Sequence, residues 1–410
     1  MSMSRKETRL AVIVVVVGLV PAAILGWLWY LSATAPLHEQ PQNVPSTSLT
    51  PPAAEWASAA ERGRQVLRTA LIEQNLPGLS VAVGIGGEVV WAEGVGWADL
   101  DKRVPVTPDT RFRIGTASIA LTSAAVGLLI ENHRLALDSE IQAYVPSFPK
   151  KPSPITLRHL MGHTSGIRND GGDEGALFGR RCARPVEAID EFADDPLRFE
   201  PGTAFRFSSY GWILVSAALE AVAGEPFVMA MQKQIFDPLG MEHTRPDSTT
   251  EPIAGLSVFY FPRFAADPRY GLHLMREIDL SCYAGASVFL STPSDMARFA
   301  MAMDSGRLLQ PPTVETLRAN QRLPTGEHTG YGLGWDRETE TVAGKDTPIV
   351  GHDGSTLGGM VSSIWTFPEH GLSVSVMSNI SYADTAGVAV KLAEAFVDGK
   401  RTAASQSGGN

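Results

Sequence analysis

The chain has 410 residues, 44% hydrophobic and 19% charged, enough apolar material for one large domain or two intimately packed lobes. Its formal net charge of −10 gives no basic excess, so nucleic acid is not an expected partner. Cys182 and Cys282 are the only cysteines and lack metal-site spacing, so no metal or cofactor is expected, while a structural disulfide and two free thiols both stay open.

Arg5, Lys6 and Arg9 precede an uncharged run from Leu10 to Leu31, which at about 1.5 Å per residue is long enough to span a bilayer. Trp27, Trp29 and Tyr30 gather at its far end, as interfacial aromatics do. The positive-inside asymmetry then keeps residues 1–9 in the cytoplasm and places everything after the span outside it, in a periplasm or at the cell surface. A cleaved signal peptide ending at Ala33-Thr34-Ala35 is the rival reading. The apolar run exceeds the usual signal length, so an uncleaved anchor is expected; either reading exports the domain. Residues 32–55 carry Pro36, Pro41, Pro45, Pro51 and Pro52 among Ser, Thr and Gln, the composition of an extended linker unable to form a core.

From Trp56 to Asn75, Val66, Leu67, Ala70 and Leu71 recur at helical spacing among Arg62, Arg64 and Glu73, which predicts an amphipathic helix. Two strands follow, Leu79 to Ile85 and Glu88 to Gly94, joined at a Gly86-Gly87 hairpin turn. A buried helix is expected from Thr116 to about His133, with Ala124, Leu128 and Leu129 at helical spacing. The region from Ser118 to about Met303 reads as mostly helix and loop. Within it, Asp170-Gly171-Gly172-Asp173-Glu174-Gly175 lacks the ordered alternation and terminal Glu of a calcium loop, and Arg180-Arg181-Cys182-Ala183-Arg184 reads as a solvated face. Strands return at Ser362 to Phe367 and at Leu372 to Ser378, where Leu372, Val374 and Val376 alternate with Ser373, Ser375 and Met377. A last helix runs from Ala383 to Val397, and residues 401–410 read as a flexible tail. Sheet pieces at both ends of the chain would be stranded as separate domains. They are expected to join into one antiparallel sheet of an α/β (α+β) domain over residues 56–400, with terminal helices on one face and the helical region on the other.

Phe112-Arg113-Ile114-Gly115-Thr116-Ala117-Ser118-Ile119 resembles the active-site segment of the β-lactamase-related, penicillin-recognising serine hydrolases. Other landmarks follow in that family's order: Leu76-Pro77-Gly78-Leu79, His163-Thr164-Ser165-Gly166, Pro201-Gly202, Phe207-Ser208-Ser209-Tyr210-Gly211, Ser291-Thr292-Pro293, Tyr331-Gly332-Leu333-Gly334-Trp335 and Gly351-His352-Asp353-Gly354. The resemblance covers roughly residues 60 to 395 and implies the same sheet-and-helix architecture. In the family a Ser-x-x-Lys supplies nucleophile and base, a Tyr relays the proton, and a Lys-Thr-Gly or His-x-Gly strand edges the cleft.

Carried over, those positions fall on Thr116, Ile119, Phe207 and His352, the first three substituted. A threonine hydroxyl needs a nearby base, and neither Ile119 nor Phe207 can act as one. Losing such a unit costs on the order of 10⁴ to 10⁶ in rate. Ser118, Ser209 and Gly354 are expected to line the ligand-binding cleft, with Ser118 more readily packed toward the protein. The resemblance thus implies a non-hydrolysing homologue holding a peptide, a cell-wall fragment or a small acyl ligand. The alternative is an acyl-transfer hydrolase of esters, amides or β-lactams, with Thr116 or Ser118 activated by His352 or, more weakly, by His163.

Overall fold

The computed structural model describes residues 18–31, 34–169 and 177–407, with side chains to residue 399. Residues 10–17 of the expected span and the acidic glycine run at 170–175 lie outside the described residues. Glu88–Asp99 (β3) and Gly78–Ile85 (β2) form a hairpin on which the C-terminal half of the chain completes the sheet. Asp336–Val342 (β4), Lys345–Thr356 (β5), Gly359–Phe367 (β6) and Leu372–Ser378 (β7) follow, and with Ser46–Thr47 (β1) the spatial order is β1-β3-β2-β7-β6-β5-β4, all antiparallel. The two chain ends meet at β2 and β7, where Val83 sits opposite Val374 and Val81 opposite Val376. The expected single antiparallel sheet is therefore present.

Its two faces differ because β2 and β7 alternate. Leu79, Val81, Val83, Leu372, Val374 and Val376 bury into a core shared with Ala57–Glu73 (α2) and Thr385–Ser407 (α6). Trp91 stacks on Phe396 at 5.7 Å, and a side-chain carbon on Gly63 would lie 2.7 Å from Trp91, so α2 needs glycine there. On the other face the alternate positions are small apart from Met377, and Pro293–Asp304 (α5) packs against β2 and β7 so closely that a Cβ on Gly84 would meet the Met301 sulfur at 2.6 Å. Beyond α5 lie Ser118–Glu131 (α3) and Ser209–Ala223 (α4), both almost wholly buried in the second core. Helix α6 continues to Ser407, past the residue at which a flexible tail was expected; Gly399 lies within it, but no proline interrupts residues 398–407.

The expected linker is not free, and it is not extended throughout, since Pro41–Asn43 makes a 3₁₀ turn. Ser46 and Thr47 pair on the edge strand β3, Leu37 N–H donates to Asn75 Oδ1 at 2.8 Å, and Val44 is buried. Prolines prevent a continuous ladder, yet the residues between them keep N–H groups and apolar side chains that an open sheet edge accepts. The described part of the apolar run, Gly18–Leu31 (α1), is a short helix with exposed apolar side chains, and Trp29 contacts Phe264 edge-on at 5.2 Å. Among the described residues no single helix is long and apolar enough to cross a membrane. Cys182 and Cys282 form a disulfide, which resolves the choice left open by the sequence.

Candidate active site

Phe112 and Arg113 pair with Leu290 and Ser291, and Arg113 bonds Asp247 at 2.7 Å, which fixes the approach to α3. Gly115–Ala117 then makes a tight turn in which Gly115 has φ +52°, and a Cβ there would lie 2.3 Å from the Ser355 carbonyl. Only glycine permits this approach, which sets Thr116 against the end of β5. The Thr116 hydroxyl donates to the Asp353 carbonyl at 3.1 Å and accepts the Ser355 N–H at 2.9 Å. The β5–β6 register shifts between Gly354 and Ser355, next to the amide that bonds Thr116. Both partners of the hydroxyl are backbone groups.

The loop before α4 supplies the second wall. Buried His163 accepts the Ser208 N–H on Nδ1 at 3.0 Å and packs against Phe207 with the rings tilted by 33° at a centroid distance of 4.4 Å. Ser208 caps α4 by accepting the Gly211 N–H at 3.2 Å, and Asn169 Oδ1 accepts the Ser209 N–H at 2.9 Å. Burial, reinforced by the nearby His352, lowers the His163 pKa to about 3, so this ring stays neutral. The His-Thr-Ser-Gly loop thus holds Phe207 and the start of α4 in place.

The third wall is β5. His352 is buried, with Nδ1 2.6 Å from the Asp353 carbonyl and Nε2 2.8 Å from the Tyr331 hydroxyl. A carbonyl can only accept, so Nδ1 carries the proton and Nε2 accepts from Tyr331 O–H. Burial raises the Tyr331 pKa well above its ordinary value, so the phenol keeps its proton. Asp336 Oδ2 stands 3.8 Å from His352 Nδ1 and 3.4 Å from the Asp353 N–H. The Asp353 carboxylate accepts from Ser363 Oγ at 2.6 Å and Trp365 Nε1 at 3.0 Å, and burial still pushes its pKa up to about 6.

Thr116, Phe207, Ser209 and His352 line one cavity of about 320 Å³, together with Asn169, Phe178, Leu280, Tyr283, Ser287, Asp336, Ser355 and Leu357. Other expected cleft residues do not line it. Ile119, expected from the sequence to stand at the family's lysine position, is fully buried in the core behind α3. Ser118 is likewise fully buried, its Oγ 3.4 Å from the Phe289 N–H, because the helix turns it away from Thr116. Gly354 faces the turn before α3, where a Cβ would lie 1.9 Å from the Ile114 carbonyl; it permits contact rather than binding. Among the described residues no cluster of potential metal ligands is present.

The Beta-lactamase family profile matches residues 63–397, most of the chain. The chain belongs to this family. The human serine beta-lactamase-like protein LACTB, mitochondrial, is 26% identical, the alignment covering 86% of this chain and 82% of LACTB. The octameric penicillin-binding protein homologue of Pyrococcus abyssi superposes with a TM-score of 0.69 at 24% identity, over 83% of this chain and 77% of that one. The D-amino acid amidase of Ochrobactrum anthropi SV3 superposes with a TM-score of 0.71 at 23% identity, over 84% of this chain and 99% of the amidase. The two superpositions show the shared fold, and the family places this chain among β-lactamase-related serine hydrolases.

The sequence did not single out Asp336, Tyr331 as the partner of His352, or the aromatic wall of Phe178 and Tyr283. Tyr331 stood within the Tyr-Gly-Leu-Gly-Trp landmark, the one signal available, but its hydroxyl has no partner until β4 and β5 are folded together.

Proposed function

We propose that this chain is a non-hydrolysing member of its family, a binding or regulatory homologue whose exported domain is held at a membrane by its N-terminal helix. The observation that carries the first part is the environment of Thr116, whose hydroxyl bonds only backbone groups. The hydroxyl occupies the Ser355 N–H, a donor of the kind that stabilises an oxyanion. Thr116 and His352 share the Asp353 carbonyl, which favours the hydrolase alternative by nearness alone. Yet the imidazole nitrogen on that side is protonated and the free lone pair is taken by Tyr331, so the ring must flip before it can serve as a base. The full burial of Ser118 counts against it as the nucleophile. The membrane-held, exported placement is supported by the apolar helix α1 behind basic residues and by the Cys182–Cys282 disulfide, a bond that persists in oxidising compartments.

Hydrolysis of nitrocefin and of a p-nitrophenyl ester is expected near background for the chain as written. Thr116→Ser alone changes little, because the base is still missing. The double change Thr116→Ser, Phe207→Tyr, which puts a primary hydroxyl and a phenol on two side chains that line the cavity, recovers measurable turnover, with the thermal midpoint monitored alongside. Strong activity in the unmodified chain that Thr116→Ala abolishes would overturn the reading.

A further inference from the structure

The cleft is acidic on one side and aromatic on the other. Among the described residues no lysine or arginine lines it. His352 is internally bonded at both nitrogens, and the Asp353 carboxylate is held by Ser363 and Trp365. Asp336 is different: its side chain is 29% exposed, lines the cavity, and lies within reach of one backbone N–H at 3.4 Å, longer than a good hydrogen bond. Among the described residues no arginine or lysine pairs with it, so it is a formal negative charge at the cavity wall whose one ring neighbour is His352 Nδ1 at 3.8 Å. Phe207, Tyr283 and Leu280 supply apolar and π surface in the same cavity, which suits an apolar group and also attracts a cation through ring faces, whereas the Phe178 ring already has the Arg276 guanidinium over it at 5.7 Å.

We infer that the cleft selects a small organic cation, an ammonium carrying an apolar arm, with Asp336 as the residue that sets the charge preference. This rests on the binding reading above and names the ligand class for that site. The same charge disfavours ligands that present a carboxylate, because like charges repel strongly in a partly desolvated cleft.

The test is calorimetric titration of the full chain, in detergent at pH 7.5, with three probes of one shape: phenethylammonium, 2-phenylethanol and 3-phenylpropionate. The ammonium is expected to bind at least about tenfold tighter than the alcohol, with the carboxylate weakest. Asp336→Asn brings the ammonium down to the alcohol's affinity, and Asp336→Glu keeps the preference. In the unmodified chain, raising salt from about 20 to about 500 mM weakens the ammonium and not the alcohol, a check that needs no variant. Equal or tighter carboxylate binding, a preference untouched by Asp336→Asn, a salt-insensitive ammonium, or no saturable ammonium binding each overturns the inference. Turnover is measured separately, so a hydrolase that prefers ammonium ligands would defeat the binding reading and leave this one standing.

Discussion

His163, from sequence only the weaker candidate for a base, is held by its geometry in a structural role. Its Nδ1 must be unprotonated to accept the Ser208 N–H, and burial lowers its pKa from 6.5 to about 3. The unfolded chain therefore takes up the proton first as pH falls. The stability tied to this ring is intact above about pH 6.5 and is lost toward pH 3 at roughly 1.4 kcal/mol per pH unit. Asp353 works the opposite way: its pKa is raised to about 6, so its folded form gains relative stability as pH falls through that value. The informative quantity is the difference between parent and variant. His163→Gln keeps an acceptor for Ser208 but does not titrate, so its thermal midpoint declines less steeply from pH 7 to pH 4.5 than the parent's. Parallel declines would show that His163 is not the acid-sensitive group. Ser118 and Gly354 make the same point about single positions: lying beside a motif says nothing about which way a residue faces, and the phase of α3 and the closeness of β5 decide it.

Elements carried by hydrophobic alternation were legible in the sequence. The β2–β3 hairpin, β6, β7 and helices α2 and α3 all fall where periodicity put them, with boundaries shifted by a few residues. Strand β4 was not legible, because Asp-Arg-Glu-Thr-Glu-Thr-Val is a polar edge strand with one buried residue and no apolar face to announce it. The edge strand β1 was missed for a related reason, its two residues lying among prolines. Two segments near the cleft are joined by the disulfide, since Cys282 immediately precedes Tyr283 and Cys182 follows Phe178 by four positions. Closing a separation of 100 residues restricts the unfolded chain, and removing such a bond costs roughly 2–5 kcal/mol. Cys182→Ser with Cys282→Ser should lower the thermal midpoint by several degrees, and reductant should produce the same fall in the parent but not in the double variant. A parent midpoint indifferent to reductant would remove the disulfide from the account.

For the molecule as a whole, helix α1, the sheet-docked segment after it and the family domain make one chain whose cleft is built and which, on the reading proposed above, lacks the family's acyl-transfer groups. Membrane attachment is checked by fractionation: the chain stays with membranes after a high-salt wash and is cut by protease added outside intact cells, whereas a soluble form beginning near Pro36 would indicate cleavage. The replacement of the reactive groups is examined most directly by exposing the purified full chain to a fluorophosphonate and to a fluorescent penicillin and mapping any adduct by mass. No covalent adduct should form, because the Thr116 hydroxyl is bonded to Asp353 and Ser355 backbone groups and the nearby His352 has both ring nitrogens engaged. A stoichiometric adduct on Thr116 that is lost in Thr116→Ala would show instead that the cleft still performs acyl transfer.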